Sequence, residues 1–281
     1  MRMRKIFINV AISLLVVAFA FSCTNNDPVE NQEVEVTTEA DTICSAPLIA
    51  LQDCQQQMSA ELFEGQDDEL LKKILPNGNA EASINVFMQK RGDKIVLFDA
   101  GLGASRNGRL LENLDSVGVL PDEITDICIT HFHGDHIGGL LTPEGEAVFK
   151  NAKLHFSDVE LEAWTVGALK DKNEMVENML TAYEGRCETF QAGDTIVDGI
   201  VTISAPGHTP GHTLYDVGDV IVVGDLMHAV ALQVDHPEFS AKYDFEPELA
   251  VQTRKAMLEI ARTSHKPLAG MHFPAPFIIE L

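Results

Sequence analysis

Asp126-Ile-Cys-Ile-Thr-His-Phe-His-Gly-Asp-His136 is the stretch from which the rest of the chain can be read. Its first half, Asp126–Thr130, is short, apolar and β-branched, the pattern of a buried strand. Its second half packs three imidazoles and a carboxylate into residues 131–136. His131 and His133 are two apart, so in extended backbone both rings face one way and can grip one ion. Gly134 permits the tight turn that carries Asp135 and His136 round toward a second ion. Imidazole nitrogen and carboxylate oxygen suit zinc, with iron, manganese or cobalt as other divalent candidates. Buried without a cation, each of these polar groups would need another partner.

Three isolated residues extend the pattern. His208 sits in Ala205-Pro-Gly-His-Thr-Pro-Gly-His212, a Gly/Pro-rich loop that follows the strand pattern Val201–Ala205. Asp225 ends Val222-Val-Gly-Asp225, and His272 follows Leu268–Met271. A lone strand-end Asp is commonly a turn former and a lone His commonly structural. Together, at the ends of sheet strands, they describe ligands held by a rigid scaffold.

Around these positions short strands alternate with helices. The pattern predicts an edge strand over Ala46–Leu51 and a helix over Asp67–Leu75. Ser83–Gln89 and Lys94–Asp99 form a hairpin turning at Arg91-Gly92-Asp93, and Arg106–Val117 is helical. Leu154–Phe156, Thr213–Val217 and Val220–Val223 read as strands; Val159–Trp164, Asn173–Tyr183 and Glu246–Arg262 read as helices. Such interleaving suggests two mixed sheets packed face to face with helices outside. The chain has 281 residues, 45% of them hydrophobic, which is enough for one large core and excludes wholesale disorder. With 43 Asp+Glu against 20 Lys+Arg, a formal charge of −23, it offers no clustered cations for nucleic acid. Anionic substrates are disfavoured unless a local positive centre overrides that field.

The N-terminus reads as an address. Arg2, Arg4 and Lys5 precede an uncharged run from Ile6 to Phe21, shorter than the ~20 residues a spanning helix needs. Ala20 and Ser22 ahead of Cys23 resemble a loose bacterial lipobox, which implies lipidation at Cys23; plain cleavage after Ser22 is the alternative. Residues 1–22 are thus expected to be a signal peptide, 23–42 a disordered acidic tether, and 43–281 the folded domain. The protein is expected to be exported and anchored through lipid to a bacterial membrane, facing periplasm or cell surface, or else to be soluble, periplasmic or secreted. Cys44, Cys54, Cys128 and Cys187 match no zinc knuckle or redox pair; Cys128 reads as a buried hydrophobe, and a Cys44–Cys54 pairing stays open.

The order HxHxDH, a Gly-His loop, a Gly-Asp after a strand and a late His resembles the metallo-β-lactamase fold superfamily. The likeness is greatest to its methyl parathion hydrolase and quorum-quenching lactonase branch, through Gly138–Lys153 running on to Trp164, APGHTPGHT (205–213), VGDLMHAVALQ (223–233) and GMHFPAP (270–276). It implies an α+β, four-layer αβ/βα sandwich of two mixed β-sheets with helices on the outer faces. It also implies two Zn2+ ions (or other divalent metals): one on His131, His133 and His208, the other on Asp135, His136 and His272, with Asp225 and a hydroxide bridging them. Asp135 would transfer a proton to the leaving group. The implied activity is hydrolysis of a small neutral ester, lactone or phosphotriester. The alternatives are a β-lactam or thioester hydrolase of the same fold, or an idle metal-binding lipoprotein. His228 stands where many lactonase relatives carry a tyrosine, and it and Phe132 are candidates for the substrate pocket; His212 is expected to support the loop. The resemblance leaves a homodimer open.

Overall fold

The protein is described here from a computed structural model over residues 46–65, 68–172 and 174–281. The expected signal peptide and tether, Cys23 and Cys44 lie outside the described residues, all of whose elements fall within the compact unit Thr42–Leu281.

In chain order the strands are β1 (Ile49–Ser59), β2 (Phe63–Glu64), β3 (Asn79–Arg91), β4 (Lys94–Phe98), β5 (Asp126–Cys128), β6 (Lys153–Ser157), β7 (Cys187–Phe190), β8 (Thr195–Ile196), β9 (Ile200–Ser204), β10 (Thr213–Asp216), β11 (Ile221–Val222), β12 (Ser240–Ala241), β13 (Leu268–Ala269) and β14 (Ile278–Ile279). The helices are α1 (Asp68–Ile74), α2 (Leu110–Ser116), α3 (Gly134–Ile137), α4 (Asp158–Thr165), α5 (Glu174–Ala182), α6 (Val230–Gln233) and α7 (Pro247–Ser264).

The strands form two six-stranded sheets, ordered β1-β3-β4-β5-β6-β7 and β14-β13-β11-β10-β9-β8, with β2 and β12 as a separate ribbon. Both sheets are mixed. In the first, β1, β3 and β4 pair antiparallel while β4, β5, β6 and β7 run parallel; in the second only β11 and β13 are parallel. Alternation along the strands sorts the core into layers. Phe87, Val96, Phe98 and Cys128 meet Ile200, Tyr215, Val222 and Ala269 between the sheets. Val86, Leu97 and Leu154 face Leu110, Leu114, Trp164, Val176 and Met179 of α2, α4 and α5. Leu214, Ile221 and Leu268 face Met257, Leu258 and Ala261 of α7 on the other outer side. This is the expected four-layer αβ/βα sandwich. Each large apolar side chain buried in it contributes about 1.5–3 kcal/mol.

Several elements differ in extent from the sequence reading. The edge strand runs on through Gln52–Ser59, the strand before the histidine cluster ends at Cys128, and the second helix starts only at Leu110. Cys54, Cys128 and Cys187 are free thiols.

Candidate metal centre

The C-terminal ends of β5, β9, β11 and β13 open on one edge of the sandwich, and the segments leaving them carry the candidate ligands. The two sheets are laced together at this edge. The Thr213 amide donates to the Thr130 carbonyl at 3.0 Å, and Tyr215 Oη to the Ile129 carbonyl at 2.5 Å. Asn85 Nδ2 donates to the Gly270 and Phe273 carbonyls at 3.0 and 2.8 Å, fixing the loop of His272. Gly224 has φ +49°, and a Cβ there would lie 2.4 Å from His212 Nε2, so this approach requires glycine.

All seven residues converge. His131 Nε2, His133 Nδ1 and His208 Nε2 form a triangle with sides of 3.0, 2.9 and 3.2 Å. His208 Nε2 is 3.1 Å from Asp225 Oδ2. On the other side His136 Nε2 is 3.1 Å from Asp225 Oδ1, His272 Nε2 is 3.1 Å from Oδ2, and Asp135 Oδ2 lies 3.6 Å from His272 Nε2. Three overlapping donor sets result, His131/His133/His208/Asp225, Asp135/His136/His272 and Asp225/His228/His272, with Asp225 lying between the first two.

The far side of the rings decides which nitrogen is left free. His136 Nδ1 faces Asp99 Oδ2 at 2.7 Å, His208 Nδ1 faces Asp244 Oδ1 at 2.9 Å, and His272 Nδ1 faces the Ser83 carbonyl at 2.9 Å. Thr130 Oγ1 donates to Asp99 and is therefore an acceptor for His131 Nδ1 at 3.0 Å. A neutral imidazole has one N–H, and in each of these four rings an acceptor claims it. Their Nε2 atoms therefore present lone pairs, to one another and to a carboxylate. His136 Nε2 and Asp225 Oδ1 are buried with no hydrogen-bond partner. Apposed lone pairs at such distances repel unless a cation sits among them, so the donor set fits divalent metal.

Without a cation the same carboxylates draw protons to the rings instead. Burial would raise the Asp225 carboxyl, but the imidazoles of His136, His272, His131 and His208 hold it well below the usual carboxylate range. Burial lowers His133 to about 3, helped by neighbouring His208. At His208 burial also acts downward, yet Asp225 and Asp244 push it up to about 9. The site attracts positive charge wherever the carboxylates dominate, and a metal would compete with protons for it.

The remaining residues divide. His228 is buried, lines the cavity, and puts Nε2 3.1 Å from Asp225 Oδ2, with its ring stacked on His272 at 5.0 Å. His212 holds Asp225 from behind: its Nε2 accepts from the Asp225 amide at 3.0 Å while Nδ1 donates to the Ala205 carbonyl. Phe132 corrects an expectation. It does not line the cavity but sits in the outer core with its ring 5.0 Å from Phe156. The alternation that turns His131 and His133 inward turns the residue between them away.

The sequence reading missed three supporting carboxylates. Asp99 and Asp244 orient His136 and His208. Glu160, 1% exposed on α4, accepts from Phe132 N (3.0 Å) and Trp164 Nε1 (2.8 Å) on one oxygen, and from Thr209 Oγ1 (2.8 Å) and Gly211 N (2.9 Å) on the other. It thereby ties the His131–His136 segment to the His208 loop. The site opens into a cavity of about 620 Å³ whose wall includes Gln56, Met58, Leu62 and Tyr243.

A sequence model of the metallo-beta-lactamase superfamily matches residues 80–152. The crystal structure of hydrolase AbOPH, of the beta lactamase superfamily, superposes with a TM-score of 0.75 at 30% identity, covering 83% of this chain and 89% of that one. This chain belongs to the metallo-β-lactamase superfamily. Among other members, the dizinc quorum-quenching lactonase AidC, solved with the product N-hexnoyl-L-homoserine, matches with a TM-score of 0.72 and 27% identity over 82% of this chain and 88% of its own. An N-acyl homoserine lactonase of Bacillus thuringiensis is 27% identical over 165 residues, 57% of this chain and 60% of the relative. Metallo-beta-lactamase domain-containing protein 1 of Xenopus laevis is 28% identical over 183 residues, 61% and 64%. The chain thus spans about 60% of the length of the curated relatives it matches.

Proposed function

We propose that this protein is a metal-dependent hydrolase with two divalent ions, zinc foremost, that cleaves an uncharged ester, lactone or phosphotriester bond. The observation that carries the proposal is the convergence of four imidazole lone pairs, each fixed by an acceptor behind its ring, on the two oxygens of Asp225. The similarity to AbOPH and to a dizinc lactonase supports it. Divalent ions bound there would supply Lewis acidity, polarising a carbonyl or phosphoryl oxygen and lowering the pKa of water.

The chain's own groups do the rest. His131, His133 and His208 would hold one ion; Asp135, His136 and His272 the other; Asp225 would serve both. His228, within hydrogen-bond reach of Asp225, orients that carboxylate from the cavity side. Asp135 is partly open to the cavity, its side chain 30% exposed. Burial would raise its carboxyl, but His136 and His272 lower it below the ordinary range, so it stands ready as a carboxylate to take up a proton and return it to a leaving group. The N-terminal sequence supports a companion proposal, export and lipid anchoring at Cys23.

The test is a panel of esters, lactones, phosphotriesters, β-lactams and thioesters, assayed with and without chelator alongside metal quantification. Chelator-sensitive turnover of the first three classes is expected. Two metal equivalents with no turnover would indicate a metal-binding module instead, and preferred β-lactam turnover would reassign the substrate.

A further inference from the structure

The charge on the cavity wall runs against the charge of the chain. Acidic residues outnumber basic ones, 43 to 20, so an arbitrary patch of surface is expected to present carboxylates. The carboxylates of the 620 Å³ cavity, however, are Asp135 and Asp225, both turned to imidazoles, and the other charged groups on its wall are Lys172 and Lys242. The same two lysines line a second cavity of about 480 Å³ that shares His133 and His208 with the first. There the carboxylate on the wall, Asp244, is taken up by His208 Nδ1 at 2.9 Å and Arg254 at 3.6 Å, and Trp164, Leu169 and Phe245 supply apolar surface.

Lys172 precedes α5 and Lys242 follows β12, so separate segments deliver the two lysines to the wall that both cavities share. Among the described residues neither makes an ion pair, whereas Lys94, Lys153 and Lys266 each do. Tyr243, between Lys242 and Asp244, lines both cavities as well. A molecule with its scissile bond at the histidine cluster and an apolar arm in the second cavity would cross the wall that both lysines line.

We propose that the substrate, taken as a whole, is anionic: beside its uncharged scissile bond it carries an oxyanion, carboxylate or phosphate, recognised by Lys172 and Lys242, and an apolar arm beyond. This rests on the hydrolase reading above and supplies the substrate class that reading lacks. The lysines are the local positive centre that an acidic protein needs to accept such a ligand. The step at the scissile bond is plain hydrolysis: water adds across it, the acyl or phosphoryl group keeps the hydroxyl and the leaving group takes the proton.

Matched ester substrates that share scissile bond and arm, one uncharged, one carrying a carboxylate and one a phosphate, test the idea on the metal-loaded full chain. An exposed ion pair is worth up to about fivefold, so two lysines acting together predict a preference in kcat/KM of about twofold to 25-fold for an anionic substrate. The carboxylate and phosphate arms show which oxyanion is favoured. Lys172→Gln with Lys242→Gln should bring the ratio toward one, and Lys242→Glu should invert it. Calorimetry with uncleaved amide analogues of the same three molecules reads the lysines independently of turnover, with the anionic analogues binding tighter and losing that advantage in the double variant. Equal binding of charged and uncharged analogues, or a ratio that survives the double variant, overturns the proposal. Absence of hydrolysis with the binding preference intact would instead count against the hydrolase reading alone.

Discussion

Glu160→Gln keeps the shape of the side chain and removes its charge, which makes it the sharpest probe of how the ligand loops are held. The carboxylate accepts four hydrogen bonds of 2.8–3.0 Å, two on each oxygen, and is 1% exposed. In the amide, one oxygen becomes an NH2 whichever way the group is turned, so two donors lose their acceptor. Each buried donor left unsatisfied costs about 1–3 kcal/mol, giving a loss of about 2–6 kcal/mol, a large share of the ~5–15 kcal/mol of a typical domain. The loop cannot relax cheaply toward the helix. A Cβ on Gly211 would lie 2.2 Å from the Glu160 amide nitrogen, so the segments are already in close contact. Urea unfolding of chelated and metal-loaded protein should show the loss in both forms. Chelator competition should show weaker metal retention at the His131, His133 and His208 set, because Phe132 and Thr209 are neighbours of those ligands. A variant within 0.5 kcal/mol of the parent, with unchanged metal affinity, would refute the reasoning.

Further expectations concern separate parts of the chain. Asp244→Ala removes the acceptor of His208 Nδ1 and should weaken metal binding about 10–100-fold in chelator titrations, as loss of such a partner typically does. Burial would raise the Asp126 carboxyl, but its 2.8 Å contact with His155 brings it below the ordinary value. Its stabilising effect is therefore complete above the unfolded pKa and lost as pH falls through the lower folded one. In His155→Leu the acid limb of a stability–pH curve should move to higher pH, and an unmoved limb would count against the pair. Cys23→Ser should shift the protein from the membrane to the soluble fraction on fractionation if the proposed anchor exists; unchanged membrane association would count against it.

The sequence made the candidate ligands legible because their spacing encodes their geometry: i, i+2 along extended backbone for His131 and His133, a glycine turn for Asp135 and His136, strand ends for the others. Phe132 was open to the same argument, since the residue between two inward-facing rings must face out. Glu160 was hidden for a physical reason. A glutamate on an amphipathic helix reads as solvent-facing, and only the tertiary arrival of Phe132, Thr209 and Gly211 gives it buried donors to satisfy. Lys172 and Lys242 were hidden likewise, because what distinguishes them is the cavity they border. The polar run Gln52–Ser59 shows no strand alternation. It is an edge strand fixed by its long antiparallel ladder with β3, and Asp53 within it accepts from the Leu102 and Leu110 amides at 2.8 and 2.7 Å. Such partners lie about 50 residues away and leave no local signature.

The central claim is that Asp225 joins two cation sites built from six other side chains. Counting bound metal by mass spectrometry, on chain purified with zinc and freed of loosely held ions, tests it most directly. Two equivalents in the parent protein, falling to one or fewer in Asp225→Ala while the fold is kept, is the predicted result; no retained metal in the parent, or the same count in the variant, would contradict it.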